Sequence, residues 1–268
     1  MTEIILLVLL ALAIRYWWFW TPGDTSRFYP SNHPLFIAHR GLPGLNPENT
    51  LMACQAAVTA GFRAVEIDVV HSRDGTIYCS HNFDLERETD GLGWIDDSSN
   101  ADIAELKTGI YSHPDRPVPL DTLEDVLDRM PDDIIMNIEI KFHGVIHLRH
   151  AVTVARQIKA RRRSRTVIIS SFNPFVLWVI KAVDSSLATA LILESTQFYW
   201  TINLVHPDLV HPEAELVTPD LVRRLTEKKL RINVWTVNNI PAVRWLLDRG
   251  VSGIITDNPR VLEAWNET

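Results

Sequence analysis

A chain of 268 residues, 46% hydrophobic and 22% charged, is long enough to bury one large core and too apolar for a disordered segment. Its net charge of −7, from 26 basic and 33 acidic side chains, argues against nucleic acid as a partner, because it offers no basic field to hold a phosphate backbone. The two cysteines, Cys54 and Cys79, form no metal-binding motif and no disulfide framework, so both are expected in the core.

The first 20 residues form an apolar segment that is unlike the core of a soluble domain. An unbroken apolar run covers residues 4–14, and five aromatic side chains in residues 16–20 follow Arg15. A membrane span needs about 20 apolar residues, which this segment reaches if Arg15 extends toward the lipid headgroups, where Trp and Tyr are also favoured. Residues 1–20 are therefore predicted to be a single transmembrane helix that attaches the protein to a membrane.

A cleaved secretory signal is the alternative interpretation of this segment. Residues 11–13 (Ala-Leu-Ala) resemble a cleavage site, but the basic n-region of a signal peptide is missing, since Glu3 is the only charged side chain before the apolar run. We therefore favour an uncleaved anchor. Because Arg15 and Arg27 follow the segment, the positive-inside rule places the catalytic part of the chain in the cytoplasm.

Residues 21–34 are rich in proline and polar side chains and are predicted to form a linker, so the folded domain is expected to cover residues 35–268. Within that domain, short β-branched runs alternate with segments of helical spacing. Such alternation implies parallel strands joined by crossover helices, and about 250 residues is the usual size of an α/β barrel. The predicted fold class is therefore α/β, a (β/α)8 TIM barrel. The candidate strands are residues 35–39, 64–70, 76–81, 134–141, 166–171, 188–193, 209–211, 231–237 and 253–256, and the candidate helices are residues 49–60, 120–130, 148–160, 174–183, 219–229 and 241–249.

Two parts of the chain depart from the regular alternation. Nine candidate strands are present where a closed barrel needs eight, and we expect residues 209–211 to be the short or irregular one. Residues 83–119 contain Gly, Asp, Ser and Pro without a strand–helix pattern. We expect this segment to be a small insertion after the third strand, lying over one end of the barrel.

Acidic side chains stand where parallel barrels gather their reactive groups, at the ends of strands. Glu66 and Asp68 alternate along the second strand and Glu139 lies near the end of the fourth, so all three are expected to point into the barrel mouth. Carboxylates at close quarters repel one another unless they are protonated or bound to a cation, and oxygen ligands suit a hard ion. The three residues predict a site for a divalent metal, Mg²⁺ or Ca²⁺.

Histidines and fixed cations accompany the predicted metal site. His39 and His81 end the first and third strands, and histidine ordinarily titrates near pH 6.5, which suits general acid and base catalysis around neutrality. Arg40 and Lys141 add positive charge, and a guanidinium matches phosphate oxygens in a fork. The combination predicts phosphoryl chemistry, with charge in the transition state offset by the metal and the two cations.

The order of these motifs resembles the signature of the glycerophosphodiester phosphodiesterase family. The similar segments are His39-Arg40-Gly41, Pro47-Glu48-Asn49-Thr50, Glu66-Ile67-Asp68, His81, Glu139-Ile140-Lys141, Ser170-Ser171-Phe172, residues 234–238 and residues 256–259. The resemblance spans about residues 35–259. It implies a metal-dependent enzyme that hydrolyses a glycerophosphodiester to a glycerol phosphate and an alcohol.

The resemblance also implies roles for individual residues. It makes His39 and His81 the catalytic acid/base pair and assigns the metal to the three carboxylates. Arg40 and Lys141 would contact the phosphate, Trp235 would line the substrate pocket, and Glu48 would stand near the site. The insertion would shape the pocket for the alcohol.

One position departs from the family pattern. The family usually has His-Asp at the third strand end, whereas this chain has His81-Asn82. An amide in place of the carboxylate is expected to lower the pKa of His81 or to move its hydrogen bond elsewhere, with Asp84 as a nearby substitute.

Other functions remain open. The apolar N-terminus is consistent with a lysophospholipase D that takes a lysophospholipid from the membrane. A sphingomyelinase-D-like phosphodiesterase shares the carboxylate pattern but fits residues 139–141 and 235–238 less well. A barrel that binds phospholipid headgroups without catalysis would explain Asn82. A glycosidase also uses paired carboxylates, but Arg40 and Lys141 favour phosphate.

Overall fold

Eight parallel strands close into a barrel in the computed structural model of the protein, which describes residues 2–29, 33–144 and 148–266. The predicted linker of residues 21–34 is therefore described except at residues 30–32, and the predicted barrel domain except at residues 145–147 and 267–268. The described strands are β1 (Leu35–Ala38), β2 (Ala64–His71), β3 (Ile77–Cys79), β4 (Lys107–Thr108), β5 (Val118–Pro119), β6 (Ile135–Ile140), β7 (Val167–Ser171), β8 (Ala188–Leu193), β9 (Leu209–Pro212), β10 (Arg231–Val234) and β11 (Gly253–Thr256).

The helices lie between the strands, as a (β/α)8 barrel requires. They are α1 (Thr2–Trp18), α2 (Leu51–Thr59), α3 (Asn100–Ala104), α4 (Leu123–Arg129), α5 (Arg149–Ala160), α6 (Pro174–Val183), α7 (Ile202–Val205), α8 (Pro219–Glu227), α9 (Ile240–Leu247) and α10 (Arg260–Asn266). Around the barrel the strand order is β1, β2, β6, β7, β8, β9, β10 and β11, and β11 pairs with β1. The predicted TIM barrel is confirmed.

The extra strand is β3, and the prediction that residues 209–211 would be irregular is wrong. Strand β9 pairs in parallel with both β8 and β10 and completes the barrel. Strand β3 instead pairs antiparallel with β2, with Val70 opposite Tyr78. The reason is the length of the connection: residues 72–76 form a tight turn, whereas a parallel crossover needs a dozen or more residues.

The insertion of residues 83–119 follows β3 and has a small core of its own. It contains α3 and the β4–β5 pair. Leu85, Ile95 and Ile103 are buried against Val70 and Tyr78 of the β2–β3 hairpin. The insertion therefore packs against the barrel through the β2–β3 hairpin, and β2 is also the strand that carries Glu66 and Asp68.

The barrel strands are buried on both faces, as their continuous apolar runs predict. Their outward side chains pack beneath the helices, in a large core to which α2, α4, α5, α6, α8 and α9 all contribute. Their inward side chains form a second, smaller core that includes Ile37, Ile135, Ile168 and Leu209. The apolar inner core lies nearer the strands' amino-terminal ends, so the polar inward residues collect at the carboxyl ends.

Helix α1 keeps most of its apolar surface in contact with solvent. The large apolar side chains of residues 5–14 are 45% to 66% exposed. The hydrogen bond and ring contacts described for this helix lie in its last turn: the Tyr16 hydroxyl donates to the Leu204 carbonyl at 2.6 Å, and the Trp17 ring stacks on Trp200 at a centroid distance of 6.5 Å. Aromatic contacts thus join an otherwise uncovered apolar helix to the barrel next to α7.

The prediction of a transmembrane helix is not supported by the helix lengths. Within residues 2–29, 33–144 and 148–266, no helix is long and apolar enough to cross a membrane. Helix α1 has 17 residues, with Arg15 in its last turn. At 1.5 Å per residue it is about 26 Å long, less than the hydrocarbon thickness of about 30 Å.

The turn after β1 depends on Gly41. Its φ of +80° lies in the left-handed region, and a Cβ there would stand 2.6 Å from the backbone carbon of Ala53 in α2. Gly75 has a similar φ of +90°, but apart from its two chain neighbours no atom in the described part of the chain lies within 4 Å of the position its Cβ would take. A side chain at either glycine would strain the backbone, but only a side chain at Gly41 would also clash with a neighbouring helix.

We predict that Gly41→Ala lowers the free energy of unfolding by about 3 kcal/mol, because strain and overpacking add, whereas Gly75→Ala costs about 1 kcal/mol from strain alone. Urea denaturation of both variants measures the difference. Equal losses would show that α2 does not pack against the turn as described.

Candidate active site

Three carboxylates converge at the carboxyl ends of β2 and β6. Alternation along β2 puts Glu66 and Asp68 on the inner face, and the strand register places Asp68 opposite Glu139 of β6. One oxygen from each carboxylate lies within 4.8 Å of the others. Glu66 and Asp68 are 3% and 1% exposed, so little water reaches these two side chains.

The carboxylates differ in their pKa values because their neighbours differ. Burial and repulsion from Asp68 and Glu139 raise the pKa of Glu66 well above its ordinary value. Burial and the charge of Asp68 raise the pKa of Glu139 to about 7. Burial acts on Asp68 in the same direction, but Lys141 and Arg40 outweigh it and lower its pKa to about 2. Burial and crowding therefore favour the protonated forms of Glu66 and Glu139, and a metal ion bound by three ionised carboxylates would favour the loss of those protons.

Lys141 and Arg40 supply the fixed positive charge of the site. The Lys141 ammonium donates to Glu139 Oε1 at 2.6 Å and lies 3.1 Å from Asp68 Oδ1. The Arg40 guanidinium donates to Glu48 Oε1 at 2.8 Å, and the Arg40 backbone N–H donates to Glu66 Oε2 at 2.8 Å. Glu48 thus lies beside the site, where the sequence resemblance placed it.

Asn49 fixes the orientation of Asp68. Its side-chain N–H donates to Asp68 Oδ2 at 3.0 Å, and its side-chain oxygen accepts from the Asp68 backbone N–H at 2.8 Å. Asn49 has a φ of +56°, a conformation that asparagine tolerates better than most residues. Asn49 belongs to one of the sequence motifs, but its residue type alone does not mark it as part of the site.

His39 is oriented by a residue that sequence reasoning also missed. Its Nδ1 lies 2.8 Å from Asp257 Oδ1, at the end of β11. Asn238 holds Asp257 in turn, since its side-chain N–H donates to Asp257 Oδ2 and its side-chain oxygen accepts from the Asp257 backbone N–H. Asp257 therefore accepts from Nδ1–H and leaves Nε2 of His39 as the atom able to exchange a proton.

His81 is oriented by an amide. Its Nδ1 lies 3.0 Å from Asn82 Oδ1, so Asn82 takes the orienting position directly. Burial lowers the pKa of His81, and the positive charges of Lys141 and Arg40 add to this effect, which the charge of Asp68 and the Asn82 hydrogen bond offset only in part. Asp84 does not replace the missing carboxylate, because it pairs with Arg87 at 3.1 Å.

Aromatic side chains border the site on two sides. The Trp235 indole N–H donates to the His211 carbonyl at 2.8 Å, and its ring meets Phe172 edge-on at 5.7 Å. On the insertion side, Phe83 stacks on His143 at a centroid distance of 3.6 Å, and His143 Nδ1 lies 2.8 Å from Asp96. The insertion is thereby joined to the segment that follows Lys141.

A small cavity of about 20 Å³ lies among the predicted site residues. His39, Glu66, Glu139 and Trp235 line it, together with Asn137, Ile192, His211 and Ile255. A much larger cavity of about 730 Å³ lies between the turn after β2 and α5, and it contains none of the predicted site residues. The volume of a cavity therefore does not identify the active site in this protein, whereas the convergence of polar side chains does.

Comparison with known proteins places this site in a family. Residues 39–261 match the glycerophosphoryl diester phosphodiesterase family. The chain is 31% identical to a glycerophosphodiester phosphodiesterase of Caldanaerobacter subterraneus, over 85% of this chain and 96% of that protein. It is 28% identical to a Bacillus subtilis protein of the same name, over 84% of each chain.

Solved structures share the fold. A phosphodiesterase from Oleispira antarctica, determined in complex with the product sn-glycerol-3-phosphate, has a TM-score of 0.82 at 23% identity, over 90% of this chain and 98% of that one. A glycerophosphodiester phosphodiesterase from Thermotoga maritima has a TM-score of 0.71 at 26% identity, over 88% and 100%. Because the family match covers most of the chain, this protein belongs to the glycerophosphoryl diester phosphodiesterase family.

Proposed function

We propose that the protein hydrolyses glycerophosphodiesters to a glycerol phosphate and a free alcohol, using a divalent metal ion and His39 and His81 as the acid/base pair. The observation that carries this proposal is the convergence of three carboxylates, two buried and one partly buried, with two fixed cations at the mouth of a barrel of this family. Family membership supports the reaction class. The metal and the residue roles rest on the geometry.

The donor set fits a hard divalent cation such as Mg²⁺ or Ca²⁺. Glu66, Asp68 and Glu139 offer oxygen atoms close enough to share one ion. The raised pKa values of Glu66 and Glu139 are the expected behaviour of carboxylates crowded together without such an ion. A bound ion would polarise a phosphoryl oxygen and offset the charge of the transition state.

Arg40 and Lys141 would hold the phosphate against these carboxylates. Both side chains are largely buried, with side-chain exposures of 20% and 14%, so their charges act in a medium that screens them less than water. Glu48 and Asp68 restrain the Arg40 guanidinium from two directions. The cations are therefore positioned before substrate arrives, which reduces the reorganisation needed in the transition state.

The two histidines are suited to different proton transfers. The lowered pKa of His81 keeps it neutral near pH 7, as a general base requires. His39 has a carboxylate, Asp257, as the partner of its Nδ1, which orients the ring and leaves Nε2 able to give a proton to the leaving group. In this assignment His81 takes a proton from the attacking hydroxyl or water, and His39 gives one to the departing alcohol.

The first test is release of glycerol phosphate from glycerophosphocholine and glycerophosphoethanolamine. We predict turnover that a chelator abolishes and that Mg²⁺ or Ca²⁺ restores. His39→Ala should lower kcat by about 1000-fold, because general acid catalysis is lost. His33→Ala, at an exposed histidine before β1, should leave kcat unchanged. A folded, metal-supplemented protein with no turnover on any diester, while binding phospholipid headgroups, would favour the non-catalytic barrel.

The second prediction concerns Asn82. A histidine acts as a general base only when it is neutral, so activity is lost as the pH falls through its pKa. Because the pKa of His81 is lowered, this loss of activity on the acidic side of the pH profile (the acidic limb) is expected below about pH 6.5. Asn82→Asp places a carboxylate beside Nδ1, which raises the pKa and should move the limb upward by about one pH unit. The pH profile of kcat/KM measures the shift, with Asn82→Ala as the uncharged control. An acidic limb at unchanged or lower pH in Asn82→Asp would contradict the assignment of His81 as base.

Membrane attachment is a separate proposal, motivated by α1. Its large apolar side chains in residues 5–14 are exposed, while Trp18 and Phe19 follow at 62% and 71% exposure. Exposed apolar surface of this extent, ending in aromatic residues, fits the interface of a lipid bilayer. The positive charges of Arg15 and Arg27 favour the cytoplasmic face of the membrane, whose anionic lipids attract basic side chains. Attachment would bring the site to lysophospholipids, for which the activity would be that of a lysophospholipase D.

The membrane proposal predicts that the full chain sediments with phosphatidylcholine vesicles. Leu7→Glu with Leu10→Glu should weaken binding by about 100-fold, since each exposed leucine contributes roughly 1.5 kcal/mol on insertion. The matched control is Leu45→Glu with Leu92→Glu, which charges two exposed leucines of the barrel domain. Equal binding by both double variants would contradict insertion of α1. Comparison of lysophosphatidylcholine with glycerophosphocholine then identifies the preferred substrate.

A further inference from the structure

Beneath the carboxylates lie two fully buried polar atoms that have no hydrogen-bond partner among the residues that the structure describes. They are Asn137 Oδ1 and His211 Nδ1, and each residue is 1% exposed. Leaving a buried donor or acceptor unpaired costs about 1 to 3 kcal/mol, so nearly all such groups in proteins are paired with protein atoms or with ordered water. Two of them around one cavity therefore point to a ligand.

The strand register places both groups next to the predicted metal ligands. Asn137 of β6 lies directly opposite Glu66 of β2, two residues before Glu139 on the same inner face. His211 is on β9, across the barrel interior. Both residues line the cavity of about 20 Å³ that Glu66 and Glu139 also line. The unpaired atoms and the carboxylates of Glu66 and Glu139 thus line the same small cavity.

The hydrogen bonds around His211 determine which ring nitrogen carries the proton. Tyr29 donates its hydroxyl to Asn233 Oδ1 at 2.8 Å, which orients the Asn233 amide. The Asn233 side-chain N–H then lies 3.1 Å from His211 Nε2, which accepts. Burial lowers the pKa of His211 to about 3, so the ring is neutral and its single proton is on Nδ1. A donor therefore points toward the cavity.

The size and chemistry of the cavity fit one water molecule. To hold a water molecule, a site needs about 10 to 15 Å³ of space open to the centre of a water-sized sphere and two to four polar partners. A water here would accept from His211 Nδ1–H and donate to Asn137 Oδ1, which leaves one hydrogen for a carboxylate. A metal ligand role for His211 does not fit, because Nδ1 carries the proton and Nε2 is engaged by Asn233.

We propose that this cavity binds one ordered water molecule that links His211 and Asn137 to the carboxylate of Glu66, and that His211 is thereby a positioning residue for the metal site. The inference rests on the proposed function, since it takes Glu66 as a metal ligand. Hydrogen bonding to the outer side of a ligand fixes its orientation and commonly changes metal affinity by about 10- to 100-fold.

The test is calorimetric Mn²⁺ binding to wild type, His211→Leu, Asn137→Leu and the double variant, with Ser170→Ala as control. Ser170 is also fully buried with an unpartnered hydroxyl and lies opposite Glu139 in register, but it does not line the cavity. Each leucine variant should weaken Mn²⁺ binding by about 10-fold or more. The double variant should be no weaker than either single one, since both remove the same water. Ser170→Ala should bind as wild type does.

Two measurements on the wild type keep the proposal independent of how the variants fold. A crystal structure at a resolution that shows ordered water should contain one within hydrogen-bond distance of His211 Nδ1 and Asn137 Oδ1, and nitrogen NMR should show His211 protonated at Nδ1. A dry cavity, a proton on Nε2, or additive losses in the double variant would each overturn the proposal. Failure of wild type to bind Mn²⁺ would instead overturn the proposed function, and the positioning role of His211 with it.

Discussion

Repulsion among three crowded carboxylates, of which Glu66 and Asp68 are buried, is the constraint on which the rest of this site depends. Glu66, Asp68 and Glu139 are brought within one ion's reach by strand register alone, and burial makes their negative charge costly. The protein opposes that cost with two cations, Lys141 and Arg40, and with the backbone N–H of Arg40. The two cations stabilise the negative charge of Asp68 most strongly. The charges of Glu66 and Glu139 are less well compensated, and a divalent metal ion would stabilise them.

The hydrogen bonds around the carboxylates and histidines follow one pattern, in which each reactive group has a partner that fixes its orientation. Asn49 holds Asp68, Asp257 holds His39 and Asn82 holds His81. These partners come from loops at the carboxyl ends of different strands, so the barrel must close before the site is complete. The proposed water extends the same pattern to Glu66, from the interior of the barrel.

The sequence predicted the barrel well because its signal is local. The residues proposed for the reaction stand in short motifs, and the structure brings the three carboxylates among them together. Alternating β-branched and helical segments encode the fold, and the inward alternation of Glu66 with Asp68 can be read within three residues. Contacts between distant segments were missed, above all the pairing of His39 with Asp257 across 218 residues. Strand β3 was mistaken for a barrel strand because its apolar residues resemble those of β9. The length of the connection after β2 was the signal that distinguishes them.

Anomalous diffraction from crystals soaked in Mn²⁺ tests the central claim most directly. The account predicts a single strong peak about 2.2 Å from carboxylate oxygens of Glu66, Asp68 and Glu139, with His39 and His81 close by. Glu66→Gln should weaken that peak without displacing it. A peak elsewhere in the barrel, or none at a concentration that supports turnover, would show that the three carboxylates do not form the metal site.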